Sequence, residues 1–249
     1  MTKNIIYRIP AVRSREQYAI ALCDAIEEPR SSIFWDEDRK GSVWNKFRIW
    51  NLYKEFPEVT HICMLDDDAE VVHGFKDFVE VAVSNFPDCI LSFCHCNANP
   101  VRMKEKAPHT PYMLLRNFDF RGISLCVPVQ YINGYLDFVH ERLPDYKRDD
   151  TSLKMYACMQ NIPCILTVPN LVRAREIPSA IHPRFMSKNS DTWQGFDVDI
   201  NQFKTSEYSV RKSNRLFDFH LKPDVPIVQE VAAIYKKRLL MEDLMNGNN

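Results

Sequence analysis

His61-Ile-Cys-Met-Leu-Asp-Asp-Asp68 is the stretch that decides the fold of this 249-residue chain. Residues 61–65 form a short, mainly apolar run, which predicts a buried strand. Three consecutive carboxylates follow the run without a break. Ligands of open α/β sheets bind just beyond the carboxyl ends of the strands. The sequence therefore places a binding site directly after this strand.

The segments before and after this stretch alternate between strand and helix patterns. Helical spacing of apolar residues predicts helices at 13–26, 43–56 and 75–86. Short apolar runs predict strands at 4–9, where Pro10 ends the run, and at 32–35 and 89–93. This βαβαβαβ order predicts an α/β fold with an open, mostly parallel central sheet flanked by helices.

The second half of the chain is less regular. Strands are predicted at 122–127 and 164–168, and helices at 128–142 and 152–159, with Asp149, Asp150 and Thr151 capping the last of these. The sequence of residues 97–119 predicts a long loop, and the apolar residues of 178–223 show neither a helical nor a strand period. We expect one domain over 1–223 and, over 224–249, an amphipathic helix that docks on it.

The composition excludes several classes of site. With only six glycines, the chain has neither a GxGxxG nor a GxxxxGK[ST] motif, so a bound phosphate must be held by side chains or a metal. None of the eight cysteines forms a CxxC pair, which disfavours a zinc site and suits a reduced, cytoplasmic protein. No signal peptide or membrane-spanning apolar run is evident, so we expect a cytoplasmic protein without stable membrane insertion.

Charge is distributed unevenly along the chain. Residues 1–98 carry 11 Lys and Arg against 16 Asp and Glu, whereas residues 99–249 carry 21 against 17. The basic excess is concentrated in 99–121 and 171–215. This asymmetry is compatible with a polyanionic ligand on the second half, and also with an ordinary solvated surface.

The acid triplet itself suggests a metal site. In an extended chain residues i and i+2 project to the same side, so Asp66 and Asp68 can converge on one point. Mg²⁺ and Mn²⁺ prefer oxygen ligands and commonly link carboxylates to substrate phosphates. The alternative is a solvated turn whose acids favour the N-terminus of the helix after Gly74.

The region around the triplet resembles the GT-A-fold glycosyltransferases, in which an apolar strand ends in an Asp-x-Asp or x-Asp-Asp motif. The residues that carry the resemblance are the run from Asn45 to Val71, which includes the triplet and its strand, the opening segment from Ile9 to Glu16, Asp36, 39–41 and 44–45. The resemblance implies a donor-nucleotide half over 1–98 and an acceptor half over 99–223. It implies Asp66 and Asp68 as ligands of Mn²⁺ or Mg²⁺. The implied donor-binding residues are Pro10, Ala11, Val12, Arg13, Asp36, Arg39, Lys40, Asn45 and Asp67.

Two downstream stretches extend the resemblance to the acceptor half. The run 146–153 is similar to the acidic motif that supplies the general base in inverting members, which implies Asp150, or else Asp149, as that base. The run 168–172 is similar to a turn that precedes a metal-binding histidine. This chain has Ala174 at the histidine position, so His182 or a water could take its place.

These features predict a metal-dependent glycosyltransferase that moves a hexosyl or pentosyl group from a nucleotide sugar, with UDP-sugar the favoured donor, to a hydroxyl acceptor. The acceptor is either a glycan or a hydroxymethylated pyrimidine in viral DNA. Basic side chains predicted to contact it are Arg116, Arg121, Arg173 and Arg175. The alternatives are a nucleotidyltransferase that makes nucleotide sugars, which usually has a glycine-rich loop missing here, and a non-catalytic sugar-binding protein.

Overall fold

The computed structural model describes residues 4–94, 110–115, 120, 122–143, 149–178, 198–211 and 226–245. In these residues the strands, in chain order, are β1 (Ile5–Ala11), β2 (Ile33–Trp35), β3 (His61–Leu65), β4 (Ala69–Val71), β5 (Ile90–Ser92), β6 (Tyr112–Leu115), β7 (Ser124–Pro128), β8 (Cys164–Thr167), β9 (Val172–Ala174) and β10 (Ser209–Arg211). The α-helices are α1 (Glu16–Ala25), α2 (Ser42–Trp50), α3 (Phe75–Asn85), α4 (Ile132–Arg142), α5 (Asp149–Gln160) and α6 (Pro226–Met245). Short 3-10 turns occupy Arg13–Arg15, Arg30–Ser32, Asn51–Lys54, Val129–Tyr131 and Ile200–Phe203.

Eight strands form one central sheet in the order β10-β6-β8-β5-β7-β3-β1-β2. The predicted α/β class, with a central sheet flanked by helices, is confirmed. Four of the seven pairings are parallel, and β7 is antiparallel to both β3 and β5. The sheet is therefore mixed: β7, from the second half of the chain, lies between β3 and β5, and β6 is antiparallel to β8.

Strand β3 is buried on both faces, which explains its mainly apolar sequence. Ile62 and Met64 belong to the core on one side of the sheet, together with apolar residues of α2, α4, α5 and α6. Cys63 and Leu65 belong to the core on the other side, with residues of α1 and α3. This alternation fixes the register of β3 and so fixes where Asp66 begins.

Strand β1 continues past its predicted end at Ile9. Pro10 lies within the strand and pairs with Phe34 of β2, while β3 pairs with β1 only as far as Arg8. A proline is tolerated where one side of a strand has no ladder partner, since its missing N–H is not required there. The extension carries β1 through Ala11 to the site.

Helix α6 packs against the body of the protein through α5. Val231 and Tyr235 are buried in the core. Arg238 donates hydrogen bonds to the carbonyl oxygens of Cys158 and Met159, the latter over 3.0 Å. These contacts satisfy carbonyl groups near the C-terminus of α5, which otherwise lack helical partners. Within the described residues, no helix has both the length and the apolar character needed to cross a bilayer.

Candidate functional site

A cavity of about 810 Å³ lies at the carboxyl ends of β1, β2 and β3. These three strands are parallel neighbours, so the loops that follow them meet at one edge of the sheet. The described residues that line it are Pro10, Ala11, Val12, Arg13, Ser14, Arg15, Asp36, Glu37, Arg39, Gly41, Ser42, Asn45, Asp66, Asp67 and Asp68. The fold therefore brings together three segments that are well separated in sequence.

The cavity includes most of the residues that the sequence predicts for the donor and the metal. Of the predicted donor-binding set, eight residues line it, and Lys40 does not. The Lys40 ammonium instead lies 3.0 Å from Asp38 and 4.6 Å from the Trp44 ring centre. Both predicted metal ligands, Asp66 and Asp68, line the cavity.

Asp67 ties the loop after β1 to the end of β3. Its Oδ2 accepts a hydrogen bond from the Val12 N–H over 3.1 Å, and its Oδ1 accepts one from Arg15 over 2.9 Å. Burial raises the pKa of the Asp67 carboxyl, although the hydrogen bonds from Arg15 and Val12 act in the opposite direction. Both Asp67 oxygens are thus used to position the loop.

Asp68 shares the same guanidinium group. Arg15 Nη1 lies 3.1 Å from Asp68 Oδ2, and its Nη2 donates to the Pro178 carbonyl over 2.6 Å. Burial acts to lower the pKa of Arg15, but the hydrogen bonds and charges of Asp67 and Asp68 outweigh it and raise that pKa. Arg15 therefore joins the β1 loop, the triplet and the segment after β9.

Asp66 has a different cationic partner. Lys46 of α2 places its Nζ 2.7 Å from Asp66 Oδ1, and the lysine side chain is 5% exposed. The same Nζ lies 3.4 Å from the Gly122 carbonyl. Three adjacent carboxylates at the end of a buried strand are therefore balanced in part by two basic side chains of the chain itself.

Arg15 and Lys46 are the site residues that the sequence analysis did not assign. In the sequence Arg15 belongs only to the opening segment of the resemblance, and Lys46 only to the run from Asn45 to Val71. Three consecutive carboxylates after a buried strand are costly to bury unless cations lie nearby, so the triplet itself indicates that basic side chains should be close to it. The sequence could not specify which of the basic residues of the first half these would be.

Asp36 stabilises the turn that follows β2. Its Oδ1 accepts the Lys40 N–H over 2.8 Å and its Oδ2 accepts the Gly41 N–H over 2.7 Å. Gly41 adopts a φ of +99°, a region that favours glycine, and it precedes the first residue of α2. Asp36 thus shapes the wall of the cavity at the N-terminus of α2.

Arg13 lies at the exposed side of the cavity beside an aromatic ring. Its guanidinium carbon is 4.2 Å from the centre of the Trp35 ring, and its Nε donates to Glu37 over 3.0 Å. Asn45 donates to the Phe34 carbonyl over 2.6 Å and accepts from Arg48 over 2.8 Å. Asn45 therefore connects α2 to β2 at the cavity wall.

A two-stranded ladder of β4 and β9 lies beside the triplet. Ala69 is the register partner of Ala174, and the Arg175 N–H donates to the Asp68 carbonyl over 2.7 Å. Ala174, where the resemblance would place a metal-binding histidine, is buried. The backbone of β9 therefore reaches the triplet, but the side chain at that position offers no metal ligand.

Arg173 and Arg175, predicted to contact the acceptor, share one carboxylate. Arg173 Nε pairs with Glu70 Oε2, and Arg175 Nη1 lies 2.8 Å from Glu70 Oε1. Arg175 also lies over the ring of Tyr18, 5.5 Å from its centre. Both arginines are partly exposed; Arg173 lies in β9 opposite Glu70, and Arg175 directly follows the strand.

Asp150, the predicted general base, lies in the first turn of α5 and is half-buried. The structure starts this helix at Asp149, so Asp149 and Asp150 belong to the helix rather than to a cap preceding Ser152. Asp150 Oδ2 is 3.6 Å from Lys154 Nζ, and Lys154 lies 5.7 Å from the centre of the Phe120 ring. His182, Arg116, Arg121 and the side chain of Asp149 lie outside the described residues.

The carboxylates of the triplet offer oxygen ligands of the kind that a divalent cation prefers. The described residues contain no group of three His, Cys, Asp or Glu side chains that could hold a metal. Mg²⁺ is usually bound by one or two carboxylates and completed by substrate phosphates and water. Asp66 and Asp68 line one cavity, whereas Asp67 is used by the loop, so the pair fits this two-carboxylate arrangement.

Comparison with known proteins gives only distant structural likenesses. No family model matches the sequence, and no curated protein matches it. A glycosyltransferase involved in the glycosylation of the major capsid of PBCV-1 is 13% identical, with a TM-score of 0.39 over 67% of this chain and 82% of that one. The glycosyltransferase GlyE of Streptococcus pneumoniae TIGR4 is 10% identical, with TM-scores of 0.39 and, in its apo form, 0.34. Each GlyE match covers 82% of this chain and 62% of the GlyE chain. At these values the likenesses assign neither a family nor an activity to the chain.

Proposed function

We propose that this protein is a metal-dependent glycosyltransferase that binds a nucleotide-sugar donor in the cavity at the ends of β1, β2 and β3. The observation that carries the proposal is that one cavity is lined by Asp66 and Asp68, by the loop after β1 and by the N-terminus of α2. A nucleotide bound there would extend from the loops after β1 and β2 towards the triplet.

The charge of the cavity supports metal dependence. Its described lining contains five carboxylates against three guanidinium groups. A nucleoside diphosphate is itself an anion, so its phosphates would be repelled by this excess unless a cation lay between them and the acids. Mg²⁺ or Mn²⁺ held by Asp66 and Asp68 would supply that charge and act as a Lewis acid on the departing diphosphate.

The protein's own residues would position the donor. Asp67 and Arg15 fix the β1 loop against the triplet. Asp36 holds the turn before α2, which presents the helix N-terminus to the cavity, where backbone N–H groups favour an anion. These contacts pre-form the cavity wall, which lowers the ordering cost of binding.

The acceptor hydroxyl would be deprotonated by Asp150, with Asp149 as the alternative base. Lys154 Nζ, 3.6 Å from Asp150 Oδ2, would help to orient this carboxylate. The acceptor is a glycan or a hydroxymethylated pyrimidine in DNA, and the basic excess of the second half favours the polyanion.

A second candidate function is non-catalytic binding of a nucleotide sugar. It is favoured by the resident basic partners of Asp66 and Asp68 and by the buried Ala174 beside the triplet. A nucleotidyltransferase is disfavoured because the loop from Ile9 to Glu16 contains no glycine.

Hydrolysis of a panel of UDP-, GDP- and CMP-sugars, followed with Mn²⁺ and with EDTA, tests the proposal. We expect Mn²⁺-dependent release of the nucleotide, lost at least 100-fold in Asp68→Asn. Asp24→Asn, which removes one acid of an exposed ion pair with Arg30, is the matched control and should retain wild-type turnover. Nucleotide binding without hydrolysis would favour the binding protein, and full activity in EDTA would remove the metal.

A further inference from the structure

Lys46 is a buried cation that the proposed reaction does not yet use. Its side chain is 5% exposed and its Nζ lies 2.7 Å from Asp66 Oδ1. A buried lysine is rare unless it is paired, because the charge is costly to remove from water. The pair joins α2 to the end of β3, at the carboxylate proposed to hold the metal.

Lys46 lies behind Asp66 with respect to the cavity. Its neighbours Asn45 and Ser42 line the cavity with Asp66, whereas Lys46 is not among the described lining residues. The Lys46 Nζ lies instead 3.4 Å from the Gly122 carbonyl oxygen. The next carbonyl along the chain, that of Ile123, accepts a hydrogen bond from the Asp66 N–H. Among the described residues Lys46 therefore lies outside the cavity lining, and it would influence a ligand there through its charge and through Asp66.

The positive charge of Lys46 lies where it opposes the binding of a divalent cation at Asp66. A cation bound to Asp66 would lie within about 5 Å of the ammonium group, where like charges in a partly buried site repel each other. Arg15 Nη1 lies similarly close to Asp68, 3.1 Å from its Oδ2, although Arg15 itself lines the cavity. The phosphates of a donor would offset this repulsion by adding negative charge on the open side.

We propose that Lys46 is a positioning residue and the resident counter-ion of Asp66. Its charge weakens the binding of a divalent cation alone, so that the cation and a nucleoside diphosphate bind together. This inference rests on the proposed function. Binding of the two ligands is then positively coupled, and each strengthens the other by the same factor.

The test measures Mn²⁺ binding by electron paramagnetic resonance, alone and with UDP or GDP, in wild type and variants. Lys46→Met and Lys46→Gln remove the charge, and Lys46→Arg keeps it. Lys76→Met is the matched control, because it breaks a similar lysine–carboxylate pair, with Glu28 over 2.7 Å, away from the cavity. Thermal unfolding establishes that each variant is folded.

In the wild type we expect at least tenfold tighter Mn²⁺ binding when the nucleotide is present. Either neutral variant should bind Mn²⁺ alone at least tenfold more tightly than wild type, with smaller coupling to the nucleotide. Lys46→Arg and Lys76→Met should resemble wild type. Unchanged affinity for Mn²⁺ alone in both neutral variants would overturn the role of Lys46 while leaving the proposed function intact. If wild type bound no nucleotide with Mn²⁺, the proposed function would fail first and the inference with it.

Discussion

Arg15 Nη1 lies 2.9 Å from Asp67 Oδ1, a contact that joins residues 52 positions apart in the chain. Both side chains are about nine-tenths buried, at 10% and 8% exposed. The pair attaches the loop after β1 to the loop after β3. The contact therefore helps to hold these two loops together at the cavity.

Removing Arg15 should destabilise the fold. Arg15→Met leaves the buried Asp67 carboxylate without its cation, which typically costs about 3 kcal/mol in the free energy of unfolding. Arg15→Lys keeps the charge but cannot bridge two carboxylates and a carbonyl as a guanidinium does, so we expect an intermediate loss. Urea denaturation measures the effect.

Arg13→Met is the matched control for Arg15, because it removes an arginine from the same loop. Arg13 forms exposed ion pairs with Glu16 and Glu37, with all three side chains at least half exposed. Exposed pairs contribute little to stability. Equal destabilisation by Arg13→Met and Arg15→Met would show that the Arg15 contacts do not hold the loop.

Asp36 should influence donor affinity through the turn that it holds. Asp36→Ala removes the acceptors of the Lys40 and Gly41 N–H groups, each bond being worth about 1 kcal/mol. The looser turn should raise the donor KM about tenfold with a smaller change in kcat. Asp38→Asn, which alters an exposed acid in the same turn, should leave both constants near wild type. A fall in kcat at unchanged KM would instead place Asp36 in the chemical step.

The sequence predicted β3 to the residue because each of its faces is buried in a separate core, which demands a continuous run of largely apolar residues. The position of the acid triplet followed directly from the end of that run. The insertion of β7 between β3 and β5 could not be predicted, because a strand pattern does not encode the direction or identity of its neighbour.

The basic partners of the three acids could not be predicted from the sequence either. Lys46 reaches Asp66 only because α2 lies across the end of β3, and Arg15 reaches Asp67 only because β1 extends through Pro10. Both contacts depend on tertiary packing rather than on local spacing. The rule that pairs residues i and i+2 applies to an extended chain, whereas Asp67 and Asp68 lie in a turn in which the Ala69 N–H donates to the Asp66 carbonyl over 2.9 Å. Asp66 and Asp68 both line the cavity, but the rule could not assign separate cations to them.

Gly134 should not tolerate a side chain, although it lies within helix α4. Alanine usually stabilises a helix interior relative to glycine by about 1 kcal/mol. Here a Cβ would collide with the Tyr156 hydroxyl of α5, so Gly134→Ala should instead destabilise by about 1–3 kcal/mol. The double variant with Tyr156→Phe removes the hydroxyl oxygen and should recover part of the loss. Stabilisation by Gly134→Ala alone would contradict the close approach of the helix that carries Asp150.

The nature of the acceptor is tested by Arg173 in β9 and Arg175 directly after it. If the acceptor is DNA, Arg173 and Arg175 would each contact a phosphate and contribute a sequence-independent, salt-sensitive part of the affinity. Arg173→Ala and Arg175→Ala should then weaken duplex binding and each lower the slope of log affinity against log salt by about 1. Fluorescence anisotropy across a salt series measures both quantities.

Glu70 provides the matched control for this experiment, because it pairs with both arginines. Glu70→Gln releases two cations and removes a negative charge, so it should strengthen DNA binding at low salt if the arginines contact phosphates. If they serve only to hold β4 against β9, Glu70→Gln should lower thermal stability as the arginine variants do, without changing DNA affinity. Absence of duplex binding at low salt, or binding independent of salt, would exclude the DNA acceptor. A glycan acceptor would then be favoured, because a neutral sugar is recognised without phosphate contacts and its binding need not depend on salt.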